Sequence, residues 1–235
     1  MSVKNRSYYI VAGIILLLVI AWYFQSQGFI KIFPTSEDVK ISRALRIDES
    51  KFVAAEGLSA ADFQKKIDEA KALRDEVKNN PENANNWFRF GNSLSFLNDH
   101  EGAVVAWKMA FELQPLNFVV TANLGNTYQY FLKDWPMAEF YYLKAIEVKA
   151  DFTTAYSGLV DLYRYNYAEK FGELEPLLLR AVKDDSANAS GYYSILVETF
   201  VDRGDLSKAK SYLAEVQKLN PESAQSLRAS YPQLQ

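Results

Sequence analysis

His100 is the only histidine of the chain and cysteine is absent, which leaves few side chains able to act as nucleophile, proton shuttle or soft metal ligand. His100 lies in LNDHEG, residues 97 to 102, a turn cluster between two helical periods. An exposed turn residue is what such a stretch produces, and no second imidazole or thiolate is present to share a metal. The neighbouring carboxylates Asp184 and Asp185 also fall in a turn, where solvated acids and helix caps are ordinary and where the spacing of a calcium loop is missing. No P-loop or dinucleotide-type glycine pattern occurs. These residues point away from catalysis, so the chain is expected not to be an enzyme, with no cofactor and no small-molecule substrate. A different chemistry recurs at a fixed interval: the amides of Asn92 and Asn126, with the rings of Phe96, Tyr130 and Tyr165 beside them.

The elements that would position those side chains are helices. From Ser59 a capping-box-like SAAD precedes Phe63, Ile67, Ala70, Leu73 and Val77 at steps of four, three, three and four, one amphipathic helix that must end before Pro81. Beyond it a small residue followed at +4, +7 and +12 by further landmarks recurs as Ala103/Trp107/Ala110/Pro115, Ala138/Tyr142/Ala145/Ala150, Leu174/Leu178/Ala181/Ser186 and Ala209/Leu213/Val216/Pro221, with offsets of 35, 36 and 35. Upstream of each set stands a second helical pattern: Trp87, Phe90, Gly91 and Leu94; Thr121, Leu124, Gly125 and Tyr128; Tyr156, Leu159, Val160 and Tyr163; and a looser one from Tyr192 and Leu196. No strand-like alternation appears. Fixed-period self-similarity of this kind is the signature of a stacked repeat architecture.

The spacing resembles the tetratricopeptide repeat, whose signature W-x2-L-G-x2-Y, A-x3-F and a proline recurs about every 34 residues. Trp87, Phe90, Gly91, Leu94, Ala103, Trp107 and Pro115 fill it in the first copy, and Leu124, Gly125, Tyr128, Ala138 and Tyr142 in the second. The resemblance implies an all-α helix-turn-helix solenoid of about four repeats over 84–221, capped by a helix over 59–80 and by the tail 222–235. Gly91 is then expected to face Ala103, and Gly125 to face Ala138, so that paired backbones approach closely. Copy three departs from the pattern. Val160 and Leu174 replace the glycine and the alanine, Pro176 fits only the first turn of a helix, and the loop 166–175 is expected to be longer than its counterparts.

On the first helix of each repeat a second stripe lies roughly 130° around from the packing stripe at 100° per residue. In tetratricopeptide proteins that stripe lines a concave groove holding an extended peptide or a helix. The resemblance therefore nominates Phe88, Asn92 and Phe96, then Asn123, Asn126 and Tyr130, then Asp161, Arg164 and Tyr165, and finally Tyr193. Asn92 and Asn126 match asparagines that bond the ligand backbone in the family, and Asn123 is comparable with another. The lysines and arginine of the family's carboxylate-clamp version are not reproduced: Phe88 takes the first lysine's place, and Thr154 and Gly158 that of a basic pair. The aromatic residues have a second reading, as packing between neighbouring repeats.

At the other end of the chain, YYIVAGIILLLVIAWYF, residues 8 to 24, is an uncharged run bounded by aromatic pairs, which reads as a single-pass membrane anchor reaching roughly 25 Å. A cleaved signal peptide would want small residues at its exit, where WYFQSQ stands; a buried core helix is the remaining reading. Lys4 and Arg6 in the flank 1–7, against Lys31 beyond the run, favour a cytoplasmic N-terminus and an extracytoplasmic bulk at the cell membrane, although Lys40, Arg43, Arg46 and Lys51 follow. Residues 25–58 read as a linker. With 49% hydrophobic residues in 235, the chain can bury a substantial core. A net charge of −3 argues against a nucleic-acid partner.

The expected function is a membrane-anchored protein-protein interaction module for a protein or peptide client. The run LRDEVKNNPENANNWFRFGNSL is similar to the start of the tetratricopeptide domains of bacterial cytochrome c assembly factors, which implies assembly of an envelope complex. The alternative is a permanent structural subunit of a membrane complex.

Overall fold

The computed structural model describes residues 15–20, 22–23, 39, 41–42 and 45–235. Most of the expected anchor at 8–24, and half of the linker 25–58 that follows it, lies outside the described residues. Residues 15–20 and 22–23 are helical, with Ile15, Leu16, Leu17, Leu18 and Trp22 exposed. Among the described residues no helix is long and apolar enough to cross a membrane.

The chain divides into a unit over 1–46 and a larger one over 47–235. In the larger unit ten α-helices follow one another: α1 Ala60–Asn79, α2 Ala84–Phe96, α3 His100–Leu113, α4 Phe118–Thr127, α5 Trp135–Val148, α6 Thr153–Asp161, α7 Leu174–Asp184, α8 Ala189–Asp202, α9 Leu206–Leu219 and α10 Pro221–Ser230. Helices α2/α3, α4/α5, α6/α7 and α8/α9 form four repeats, each pair stacked on the next. Local sequence explains where most of them begin. Ser59, Asn83, Asp99, Asn117, Asp134, Asp205 and Asn220 sit before helices and accept backbone N–H groups of the first turn through side-chain oxygens, each cap contributing about 1 kcal/mol. Helices α6, α7 and α8 start with no such bond.

The core lies between the two helices of each repeat. Trp87, Phe90 and Leu94 of α2 and Ala103, Ala106 and Ala110 of α3 are buried together with their equivalents further on. At the start of the unit, Ile47 and Phe52 pack on Ile67, Ala70 and Leu97. Val53 also exchanges bonds with the α2–α3 turn, donating its N–H to Leu97 O (3.0 Å) and accepting from Asn98 Nδ2 (2.9 Å). The segment 47–58, read from sequence as linker, is thereby held on the repeats. At the other end Ala224, Leu227 and Leu234 cover Val197, Leu213 and Val216.

Two connections differ from simple turns. Helix α4 runs on into a π-helical turn, Tyr128–Leu132, and reverses at Lys133, whose φ of 57° is left-handed. Helix α6 also runs on into a π-helical turn, Leu162–Asn166, but ends at Tyr167 without a left-handed residue. The expected long loop at 166–175 is mostly a 3-10 helix, Ala168–Glu173. Glu139 of α5 fastens it, accepting from Tyr163 OH at 2.6 Å and pairing with Lys170 at 3.2 Å. Pro176 occupies the first turn of α7, where its missing N–H costs no intrahelical bond.

Candidate peptide-binding groove

The glycines of the repeat make room for something other than the small residue opposite. A Cβ built on Gly91 would stand 2.5 Å from Trp107 Cδ1, and one on Gly125 2.7 Å from Tyr142 Cδ1. The expectation that these glycines face Ala103 and Ala138 is therefore corrected. The ring four residues after each alanine lies across the glycine, because a flat aromatic needs a side-chain-free backbone to lie on, whereas two small residues would leave a gap. Tyr142 extends further. Its Cζ lies 2.4 Å from where a Cβ of Gly158 would be, so the phenol is threaded between the first helices of repeats 2 and 3.

Both rings end in a polar atom beneath the first-helix stripe. Trp107 Nε1 donates to Asn92 Oδ1 at 3.0 Å. Tyr142 OH lies 3.0 Å from the buried side-chain amide of Gln129, whose other end is 2.7 Å from Asn166 Oδ1. With its nitrogen turned toward Tyr142, that amide also donates to Gly158 O at 3.3 Å and accepts from Leu162 N at 3.1 Å. Burial pushes the Tyr142 phenol well above its ordinary pKa, so it stays neutral. An amide bonded to Tyr142, Gly158 and Leu162 holds the π turn of repeat 3 against repeat 2.

Above this floor two adjoining concavities share Asn123 and Asn126. One, of about 400 Å³, is walled by Asn92, Phe96 and Trp107. The other, of about 270 Å³, is walled by Tyr130, Tyr142, Ser157 and Asp161. Together they form a groove along the first helices of repeats 1 to 3, with Asn123 Nδ2 3.4 Å from Asn92 Oδ1. Phe96, Tyr130 and Tyr165 are 46%, 39% and 69% exposed. Their rings are therefore presented to solvent rather than consumed by packing between repeats. Tyr130 OH donates to Asp161 Oδ2 at 3.1 Å, and burial, with the Asp161 charge, pushes its pKa up to about 12. Phe88 is half-buried on α2.

Arg164 and Tyr193 depart from the expected stripe. Arg164 is engaged by α8, with Nη2 3.0 Å from Asp202 and Nη1 3.9 Å from Glu198. Tyr193 stacks on Tyr212 with ring centroids 5.9 Å apart and packs with Phe200 on the C-terminal core. Its neighbour Val197, the counterpart of Asn92, is fully buried. In repeat 4 the stripe is covered because α10 packs on both α8 and α9. Sequence reasoning missed the floor atoms of Trp107, Gln129 and Tyr142. The available signal was an aromatic with a polar tip at the alanine-plus-four position of both glycine-bearing repeats.

The residues first weighed for chemistry turn out to be structural. His100 is no exposed turn residue: it opens α3 and stacks on Phe131 at 3.6 Å, and burial holds its pKa below the usual histidine value. Asp185 is not solvated. It is buried, accepting from Tyr192 OH (2.7 Å), Asn188 Nδ2 (2.9 Å) and Thr153 Oγ1 (3.2 Å). The bonds from Asn188 and Tyr192, in that order, hold its carboxyl below the ordinary range. Among the described residues no group of His, Asp and Glu could hold a metal ion.

No protein-family model matches the chain, and no curated protein matches it. Among solved structures it is similar to the crystal structure of MamA, with a TM-score of 0.52 and 15% identity over 74% of this chain and 99% of that one. It is also similar to the crystal structure of YrrB, a TPR protein with an unusual peptide-binding site, with a TM-score of 0.47 and 22% identity over 70% and 86% of the two chains. Identities this low bear on the fold alone. The chain has an all-α helical repeat fold like that of TPR proteins.

Proposed function

We propose that the chain is a membrane-anchored interaction module that holds an extended segment of a client protein in the groove of repeats 1 to 3, as an assembly factor for an envelope complex. The observation that carries this reading is the side-by-side presentation of the Asn123 and Asn126 amides and the exposed rings of Phe96 and Tyr130 along one face. Amides supply the donor and acceptor that an extended backbone needs, and rings supply apolar area at low entropic cost. The exposed apolar side chains of Ile15 to Leu18 favour the anchor. The charges flanking the run favour a cytoplasmic N-terminus and an extracytoplasmic repeat domain.

Crosslinking of the full-length chain in its native membrane, followed by mass spectrometry of captured proteins, tests the proposal. Asn92→Ala with Asn126→Ala should reduce capture of the client at least about tenfold, since each ligand group left unpaired costs about 1–3 kcal/mol. Undiminished capture would remove the groove from consideration. The anchor has its own test: the protein should stay with membranes in alkaline carbonate, and protease added to spheroplasts should digest the repeats. Extraction by carbonate would refute the span, and full protection would reverse the orientation.

A second reading, a permanent subunit of a membrane complex, is favoured by one observation. The turn between repeats 1 and 2 exposes Leu116 by 79%, beside exposed Leu113 and Val119, as a standing apolar contact would require. Co-purification unaffected by the groove substitutions but lost on Leu116→Asp would select it.

A further inference from the structure

We infer that the pocket between repeats 2 and 3 receives a lysine or arginine side chain of the client, an inference that rests on the groove reading above. Of the groups walling this pocket, Asp161 alone carries charge; the others include the amide of Asn126, the hydroxyls of Thr154 and Ser157, and the rings of Tyr130 and Tyr142. The Asp161 carboxylate accepts one bond, from the neutral Tyr130 hydroxyl through Oδ2. Among the described residues no cation pairs with it, so most of its lone-pair capacity is open to the groove. The Tyr130 ring beside it is 39% exposed, and an aromatic quadrupole attracts a cation. An ammonium or guanidinium there would meet a carboxylate, a ring and neutral acceptors at once.

Further along, Glu198 and Asp202 hold the guanidinium of Arg164, which is therefore engaged away from the pocket. Arg203 lies instead over the Phe171 ring, 3.5 Å from its centroid. An acidic client end finds no counter-charge in the pocket. Gly158 admits no lysine, because the Tyr142 phenol occupies the space a Cβ would need.

The test uses the full-length chain and a phage-displayed library of random dodecapeptides, with enriched sequences then measured as acetyl- and amide-capped synthetic peptides by fluorescence anisotropy. Enriched peptides should carry a lysine or arginine whose replacement by glutamine weakens binding about tenfold. Asp161→Asn should weaken the basic peptide about tenfold and leave the glutamine peptide unchanged, which isolates the pairwise interaction. Because asparagine still accepts from Tyr130, the melting midpoint should not move, and it serves as the check on folding. Peptides that lose affinity on Asn126→Ala but show no basic preference, or ignore Asp161→Asn, overturn the inference while leaving the groove standing. Peptides indifferent to both substitutions, or no enrichment at all, remove the groove reading and this inference with it.

Discussion

Repeats 1 and 2 and repeats 3 and 4 share a register but not a way of holding together. In the first pair every helix starts on an Asn or Asp cap, and each glycine lies under an aromatic ring whose polar tip reaches the groove. In the second pair α6, α7 and α8 have no side-chain cap. Val160 replaces the glycine, and the buried carboxylate of Asp185 gathers Thr153, Asn188 and Tyr192 instead. A repeat can thus meet its interface with local caps and a ring on a glycine, or with one shared acid and aliphatic packing. Only the first solution lays aromatic rings with polar tips beneath the groove, whose far wall is Ser157 and Asp161 of repeat 3.

The sharpest break of this contrast is Gly158→Leu. Its side chain must displace the Tyr142 phenol, 2.4 Å from the new Cβ, and separate it from Gln129. Overpacking costs about 1–3 kcal/mol, and a buried amide deprived of a partner about 1–3 kcal/mol more. At roughly 2–4 °C per kcal/mol for a chain of this size, the melting midpoint should fall by about 10 °C. A midpoint within about 2 °C of wild type would show that Tyr142 is not held there. Gly91→Leu, whose new Cβ meets the Trp107 ring with no buried amide behind it, should cost less.

A reciprocal swap comes next. Val197→Asn puts an amide into a site that is fully buried against Leu213 and the C-terminal cluster, which should cost about 2 kcal/mol for the unpaired group. Asn92→Val, at an exposed position, deprives the Trp107 indole and the Asn123 amide of an acceptor and should cost about 1 kcal/mol. Chemical denaturation of the two variants checks the order. Equal losses would mean that α10 does not seal the fourth repeat.

These contrasts also mark what could be read from the sequence. Helix hairpins were legible because landmark residues recur at nearly constant offsets, and periodicity survives the loss of single residues, as in repeat 3. The partner of each glycine was not, because the span of an aromatic ring, not a register number, decides what lies over a backbone. The π turns after α4 and α6 leave no period of their own in so short a stretch. Of the stripe nominated for binding, Asn92, Asn123, Asn126, Tyr130 and Asp161 line one groove, since they sit on neighbouring first helices with nothing laid across them. Tyr193 could not be judged from its own helix. Its burial depends on α9 and the C-terminal tail, whose packing no local pattern announces.

Asp185 supplies a smaller, pH-dependent difference between the halves. Its carboxyl lies below the ordinary range in the folded chain, so the folded state favours the ionised form. That stabilisation is complete above the unfolded-state value near 4 and is lost as pH falls through the lower folded value. Asp185→Asn should cost about 1 kcal/mol at pH 7 and should flatten the loss of stability below about pH 4. Melts at several pH values measure this, and an unchanged acid limb would deny Asp185 its role as the junction of repeats 3 and 4.

The smallest effect on stability is expected where the proposed function is most exposed. Asn126 is solvent-exposed on α4, between the two concavities it helps to line. Unlike Asn92, it is not the acceptor for a buried indole, and Tyr142 keeps Gln129 when Asn126 is removed. Asn126→Ala should therefore shift unfolding by no more than about 0.5 kcal/mol, as exposed substitutions generally do. A peptide backbone spanning repeats 1 to 3 would, however, lose a donor and an acceptor in mid-groove, and its affinity should fall roughly tenfold. Val197→Asn should do the reverse, lowering stability while leaving peptide affinity intact, because its site is closed to solvent. Anisotropy and melting measured on the same two proteins separate the roles of the halves. If Asn126→Ala binds as well as wild type while Val197→Asn does not, the client is read by the C-terminal repeats.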